Sequence, residues 1–129
     1  QINSFDPREK VLFLEKIFAI LSNPDTGSQD KRDAASDLLR ITDLTNVNPE
    51  KLKKTYVKAV LNLREILNQD SDPYGEIHML LEAGKIIAPF IQNRQGITQS
   101  WNHVAKAFIG DDRQKILDDI EEIRQLMTR

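Results

Sequence analysis

The segment from Asp70 to Ile77 has acidic residues at its first and third positions, glycine at the sixth and an aliphatic residue at the eighth. That is how an EF-hand calcium loop begins, because its turn gathers those oxygens around one ion. The pattern then breaks. Its fifth ligand position is Tyr74 and its twelfth is Leu81, where a bidentate glutamate is required; Glu82 stands one residue too late. Pro73 favours a helix start, so Asp72 reads as a helix cap. The two histidines, His78 and His103, fall short of the three protein ligands that zinc needs, and there is no cysteine to help them. His78 and Glu82 lie one turn apart and share a helix face, as many solvated pairs do. No Gly-x-Ser-x-Gly elbow and no Gly-x-x-x-x-Gly-Lys loop occurs. Asp118, Asp119, Glu121 and Glu122 cluster on one helix whose inward positions are aliphatic. No catalytic, cofactor-binding or metal residue is assigned, no cofactor is implied, and the chain reads as a non-enzyme.

Binding chemistry has better candidates. Lys51, Lys54 and Lys58 follow one another at steps of three and four, opposite an apolar stripe. Such a row suits acidic residues of a partner protein, phosphates or an anionic surface. The commoner alternative is a solvated face that happens to be basic. The acidic last helix offers a further alternative: it packs beside this basic one, or faces it from a second copy. Trp101 is the other candidate, since tryptophan often anchors an interface; its spacing with Val104 and Phe108 also fits a core position, which is favoured. The stretch from Trp101 to Gly110, with Ile116 and Ile120 after it, has the outline of a helix-turn-helix. Its second helix would present Asp118, Asp119, Glu121 and Glu122 to phosphates, so DNA reading by it is disfavoured.

The expected role is a non-catalytic interaction or regulatory domain that binds a protein partner through a helix face, with a homodimer among the options. The alternative is a nucleic-acid-associated subunit using Lys51, Lys54 and Lys58. Charge argues against a strong pull toward nucleic acid, because 18 basic residues stand against 20 acidic ones, a net of -2. No apolar stretch approaches the roughly 20 residues that span a bilayer. The absence of cysteine fits any compartment. A chain of 129 residues is the size of one domain, and one that begins at Gln1 reads as a piece of something longer.

The elements that must position these residues are helices. Asx-Pro pairs occur at Asp6-Pro7, Asn23-Pro24, Asn48-Pro49 and Asp72-Pro73, and three of them open an apolar run at helical spacing. An Asx side chain accepts a bond from a first-turn amide, while proline gives up an N–H that had no partner. A first helix is expected from Pro7 to about Leu21, capped by Asp6 with Glu9 completing a capping box. Its apolar residues cover more than one stripe, which calls for neighbours on several sides or leaves a groove open. A second is expected over about 29–41, capped by Ser28, followed by a loop that tucks Leu44 and Val47 inward. The third should run from Pro49 to about Asn68. The fourth begins at Pro73 and kinks at Pro89. A short fifth, capped by Thr98 or Ser100 and closed by Gly110, precedes a sixth opened by Asp111 and Asp112. The fold class expected is all-α: a compact bundle of five or six helices with short connecting turns, forming a single domain.

Overall fold

Asp6 caps the first helix as its position requires. Its Oδ1 accepts the Glu9 amide at 2.8 Å, and the Glu9 carboxylate accepts the Asp6 amide at 3.3 Å. Two orphan donors of the first turn are thereby satisfied within one capping box. A computed structural model of the chain describes residues 4–23, 25–41, 43–66, 73–91 and 95–127. The described elements are α1 (Pro7–Ser22), α2 (Ser28–Leu39), α3 (Pro49–Ile66), α4 (Pro73–Ile87) with a 3-10 turn at Ala88–Phe90, α5 (Gln95–Ala105) and α6 (Gly110–Met127). The fold is an all-helical bundle of six helices, with no strand among the described residues.

Several boundaries differ from the expectation for local reasons. α2 includes Ser28, and Gly27 occupies the cap position with no side-chain bond. Pro89 ends regular α-helix rather than kinking it. α4 stops at Ile87, and the chain tightens into the 3-10 turn, where the Ile91 amide reaches the Ala88 carbonyl at 3.1 Å. α5 starts at Gln95, upstream of Thr98 and Ser100, and ends at Ala105 rather than at Gly110. Arg113 closes α5 instead: its guanidinium donates to the Ala105 carbonyl at 3.2 Å and the Lys106 carbonyl at 3.1 Å. Gly110, at φ 61, turns the chain in the left-handed region and so begins α6. The expected Asp72 cap and the last residues of the expected third helix lie outside the described residues.

α1 packs against α2, α3 and α4. Leu14, Ile17, Phe18 and Leu21 are its buried face. Leu44 and Val47 of the α2–α3 loop are buried, as their apolar type requires. Lys10 joins them at 1% exposure, its ammonium donating to the Asp43 carbonyl at 2.6 Å and to Asn46 Oδ1 at 3.2 Å. The loop is thus tied to α1 by a buried cation with two oxygen partners, as burial of a charge demands.

Hydrogen bonds join three helices at Tyr56. Its hydroxyl donates to the Leu80 carbonyl of α4 at 2.6 Å and accepts the Trp101 indole N–H of α5 at 3.0 Å. Gly84 is required there, because a Cβ at that position would lie 2.4 Å from the tyrosine oxygen. α6 does not lie along α3. It packs on α4, α5 and the 3-10 turn through Ile116, Ile120, Ile123 and Met127. Lys85 of α4 neutralises its acidic side, at 3.0 Å from Asp119 and 2.9 Å from Glu122, and also meets Glu82 of its own helix at 2.9 Å.

Candidate functional site

The lysine row of α3 lines a groove against α1. Pro7, Arg8, Val11, Leu12 and Glu15 of α1 face Asn46, Asn48, Lys51, Lys54 and Thr55 across a depression of about 560 Å³. Farther along, Glu15, Phe18, Ala19 and Ser22 face Lys54, Thr55, Lys58, Ala59 and Asn62 across about 320 Å³. Residue numbers rise together on both walls, so α1 and α3 run side by side in the same direction. Glu15, Lys54 and Thr55 line both depressions, which makes them one groove along the pair.

Charge in this groove is one-sided. Among the described residues, Arg8, Lys51, Lys54 and Lys58 line it against the single carboxylate of Glu15. Lys51, Lys54 and Lys58 are exposed, and none makes an ion pair among the described residues. Lys53, next in the chain, differs: it is half-buried and pairs with Glu50 at 3.1 Å. The side chain of Arg64 lies outside the described residues. Apolar surface accompanies the row. Leu12 is 53% exposed on the α1 wall, and Leu61 is 45% exposed on the far side of Lys58. Leu61 lines a further depression of about 410 Å³ with Lys53, Lys54, Val57, Lys58, Asn62 and Gly96. The arrangement offers an excess of cations, three of them without an ion pair among the described residues, around exposed leucines, which suits an acidic, part-apolar protein segment.

Trp101 belongs elsewhere. It has 0% of its surface exposed and spends its N–H on Tyr56, so it is a core residue and presents nothing to a partner. Of the four residues named from the sequence, the structure brings Lys51, Lys54 and Lys58 onto one groove and places Trp101 in the core. Leu12 and Glu15 were not singled out from the sequence. The signal for Leu12 was present in the surplus of apolar residues on α1, whereas Glu15 reads in the chain as an isolated charge.

One group could meet around a cation among the described residues: ligand atoms of His78, Glu82 and Asp119 lie within 4.8 Å of one another. Both carboxylates already accept hydrogen bonds from the Lys85 ammonium. Partial burial would lower the pKa of Lys85, but its bonds to Glu122, Glu82 and Asp119 outweigh that and hold it well above the ordinary lysine value. Tyr74 closes the other side, its hydroxyl donating to Asp119 at 3.4 Å. The resident charge is therefore the ammonium, and the group works as a clip between α4 and α6. No described helix is long and apolar enough to cross a membrane. Comparison with protein-family models, curated proteins and solved structures gives no match, so the functional reading rests on this geometry.

Proposed function

We propose that this chain is a non-catalytic interaction domain whose α1–α3 groove takes an acidic, part-apolar segment of a partner protein. One observation carries the reading: Lys51, Lys54 and Lys58 line a continuous groove and make no ion pair among the described residues, beside the exposed Leu12. Exposed ion pairs contribute only about 0–1 kcal/mol each, so the lysines supply approach and register while Leu12 and its neighbours supply burial. An amphipathic helix with acidic flanks meets both demands, since helix-in-groove recognition places apolar anchors at helical spacing between polar rims.

Charge reversal tests it. Proteins co-purifying with the chain from native lysate are expected to be lost from Lys51→Glu/Lys54→Glu/Lys58→Glu and kept by Lys106→Glu, whose lysine is exposed away from the groove. Equal recovery on wild type and the triple variant removes the reading.

The same unpaired row supports a second reading, contact with nucleic-acid phosphates. Phosphate contacts release counterions, so that binding would fall steeply with salt. The two readings part at Leu12. Leu12→Ser weakens a protein partner and leaves retention on nucleic acid unchanged.

A further inference from the structure

The opposite flank of α1 carries a row with the same spacing and the opposite sign. Asp30, Asp33 and Asp37 of α2 repeat the steps of three and four found in Lys51, Lys54 and Lys58. They line a groove of about 430 Å³ between α1 and α2, floored by Phe13, Ile17 and Ile20. Among the described residues Lys16 is the one cation lining it, so this groove is net acidic while the α1–α3 groove is net basic. Asp30 and Asp33 are exposed and make no ion pair among the described residues; Asp37 has a loose pair with Arg40 at 3.7 Å. The two rows flank α1 on different sides and do not meet within one molecule.

We infer that the partner of the lysine row is a second copy of this chain, which presents Asp30, Asp33 and Asp37 to Lys51, Lys54 and Lys58. This rests on the α1–α3 groove being a protein-binding surface and adds its occupant. With a rise of about 1.5 Å per residue, both rows are about 10 Å long, and all three pairs fall into register when α2 of one copy runs parallel to α3 of the next. Asp30 then meets Lys51, Asp33 meets Lys54, and Asp37 meets Lys58. Because the two surfaces differ, the contact is head-to-tail, and each added copy leaves one acidic and one basic row open. A net charge of -2 sets little repulsion against such growth.

Sedimentation velocity on the full chain at low ionic strength, over a concentration series, tests the assignment. Wild type is expected to grow past the dimer as concentration rises and to return to monomer in high salt, where screening shortens to about 3 Å at 1 M. Two variants each keep one row: Asp30→Asn/Asp33→Asn/Asp37→Asn and Lys51→Gln/Lys54→Gln/Lys58→Gln. Each alone is expected to associate at least about tenfold more weakly, a loss of about 1.4 kcal/mol. An equimolar mixture should restore association and stop at the heterodimer, since only one intact contact is possible per pair. Circular dichroism melts matching wild type exclude misfolding as the cause.

Three results would overturn the inference. They are a wild type that stays monomeric throughout, a dimer that never grows further, and a mixture of the folded variants that fails to associate. The underlying reading survives separately if wild type is monomeric yet the lysine variant loses a foreign protein that wild type captures. If neither copy nor foreign protein depends on the lysines, both fall.

Discussion

Tyr56 shows how much one atom of this bundle decides. Its hydroxyl satisfies the Trp101 indole and leans on the Leu80 carbonyl, and Gly84 exists to leave it room. Burial raises the phenol's pKa above the ordinary tyrosine value, so the group stays neutral and able to donate. Gly84→Ala is expected to cost about 1–3 kcal/mol in urea unfolding, the usual range for forcing extra atoms into a packed core. Tyr56→Phe is expected to cost about 1–3 kcal/mol, because the indole N–H is left buried without a partner. The double variant should cost less than the sum, since removing the hydroxyl also removes the nearest clash. Strict additivity in that cycle would show that the two residues do not meet as described. Helical periodicity places Tyr56 and Trp101 on apolar faces, but it says nothing of a bond between residues 45 apart in the chain. Lys10 is a harder case still. Nothing in its neighbours marks a lysine for burial, because the oxygens that receive it belong to a loop far along the sequence. Lys10→Met keeps the stem and removes the donors. Amide exchange is expected to speed at Val47, whose N–H closes the loop on Leu44, while protection in α3 is retained; unchanged exchange at Val47 would remove Lys10 as the tie.

Helices were legible where the chain supplies its own boundary chemistry. Asp6 with Glu9, and Asn48, whose Oδ1 accepts the Glu50 amide at 2.8 Å, act within a few residues of themselves. Ends set by distant groups were not legible. Arg113 of α6 finishes α5, and no local pattern announces it. The pairing of elements was likewise hidden: α6 takes its counter-charge from Lys85 on α4, where charge alone had suggested α3. This clip has a pH signature. Because the folded pKa of Lys85 is raised, its contribution is fully present below the unfolded lysine value and is lost as pH rises through the folded one. Lys85→Met leaves Asp119, Glu82 and Glu122 facing one another without an ammonium. The variant should lose about 1–2 kcal/mol near pH 7, between the ranges for exposed and buried pairs. The deficit should shrink as pH falls through the ordinary carboxylate range near about 4, where protonation removes the repulsion. Thermal melts of both proteins across that interval give the comparison, and a deficit independent of pH would assign Lys85 a packing role alone.

At the scale of the molecule, α1 serves both as the core and as one wall of the two charged grooves. Its sequence announces the first role through Leu14, Ile17, Phe18 and Leu21, and only hints at the second by carrying more apolar residues than one buried stripe uses. The surplus separates once neighbours are in place: Leu14 is fully buried, while Leu12 remains on the wall beside Lys51 and Lys54. Two leucines two positions apart should therefore fail in different assays. Leu14→Ala empties a site with no exposure and is expected to cost about 2–5 kcal/mol of stability. Leu12→Ser changes a surface position, so its stability should stay within about 0.5 kcal/mol of wild type. Its effect belongs to association: apolar area lost from the groove wall should weaken capture of a partner that depends on Lys51, Lys54 and Lys58. Measured together, unfolding and binding place each leucine on one axis. A Leu12→Ser variant that binds as wild type does would leave the lysines acting alone, and the groove would then favour phosphates over a protein segment.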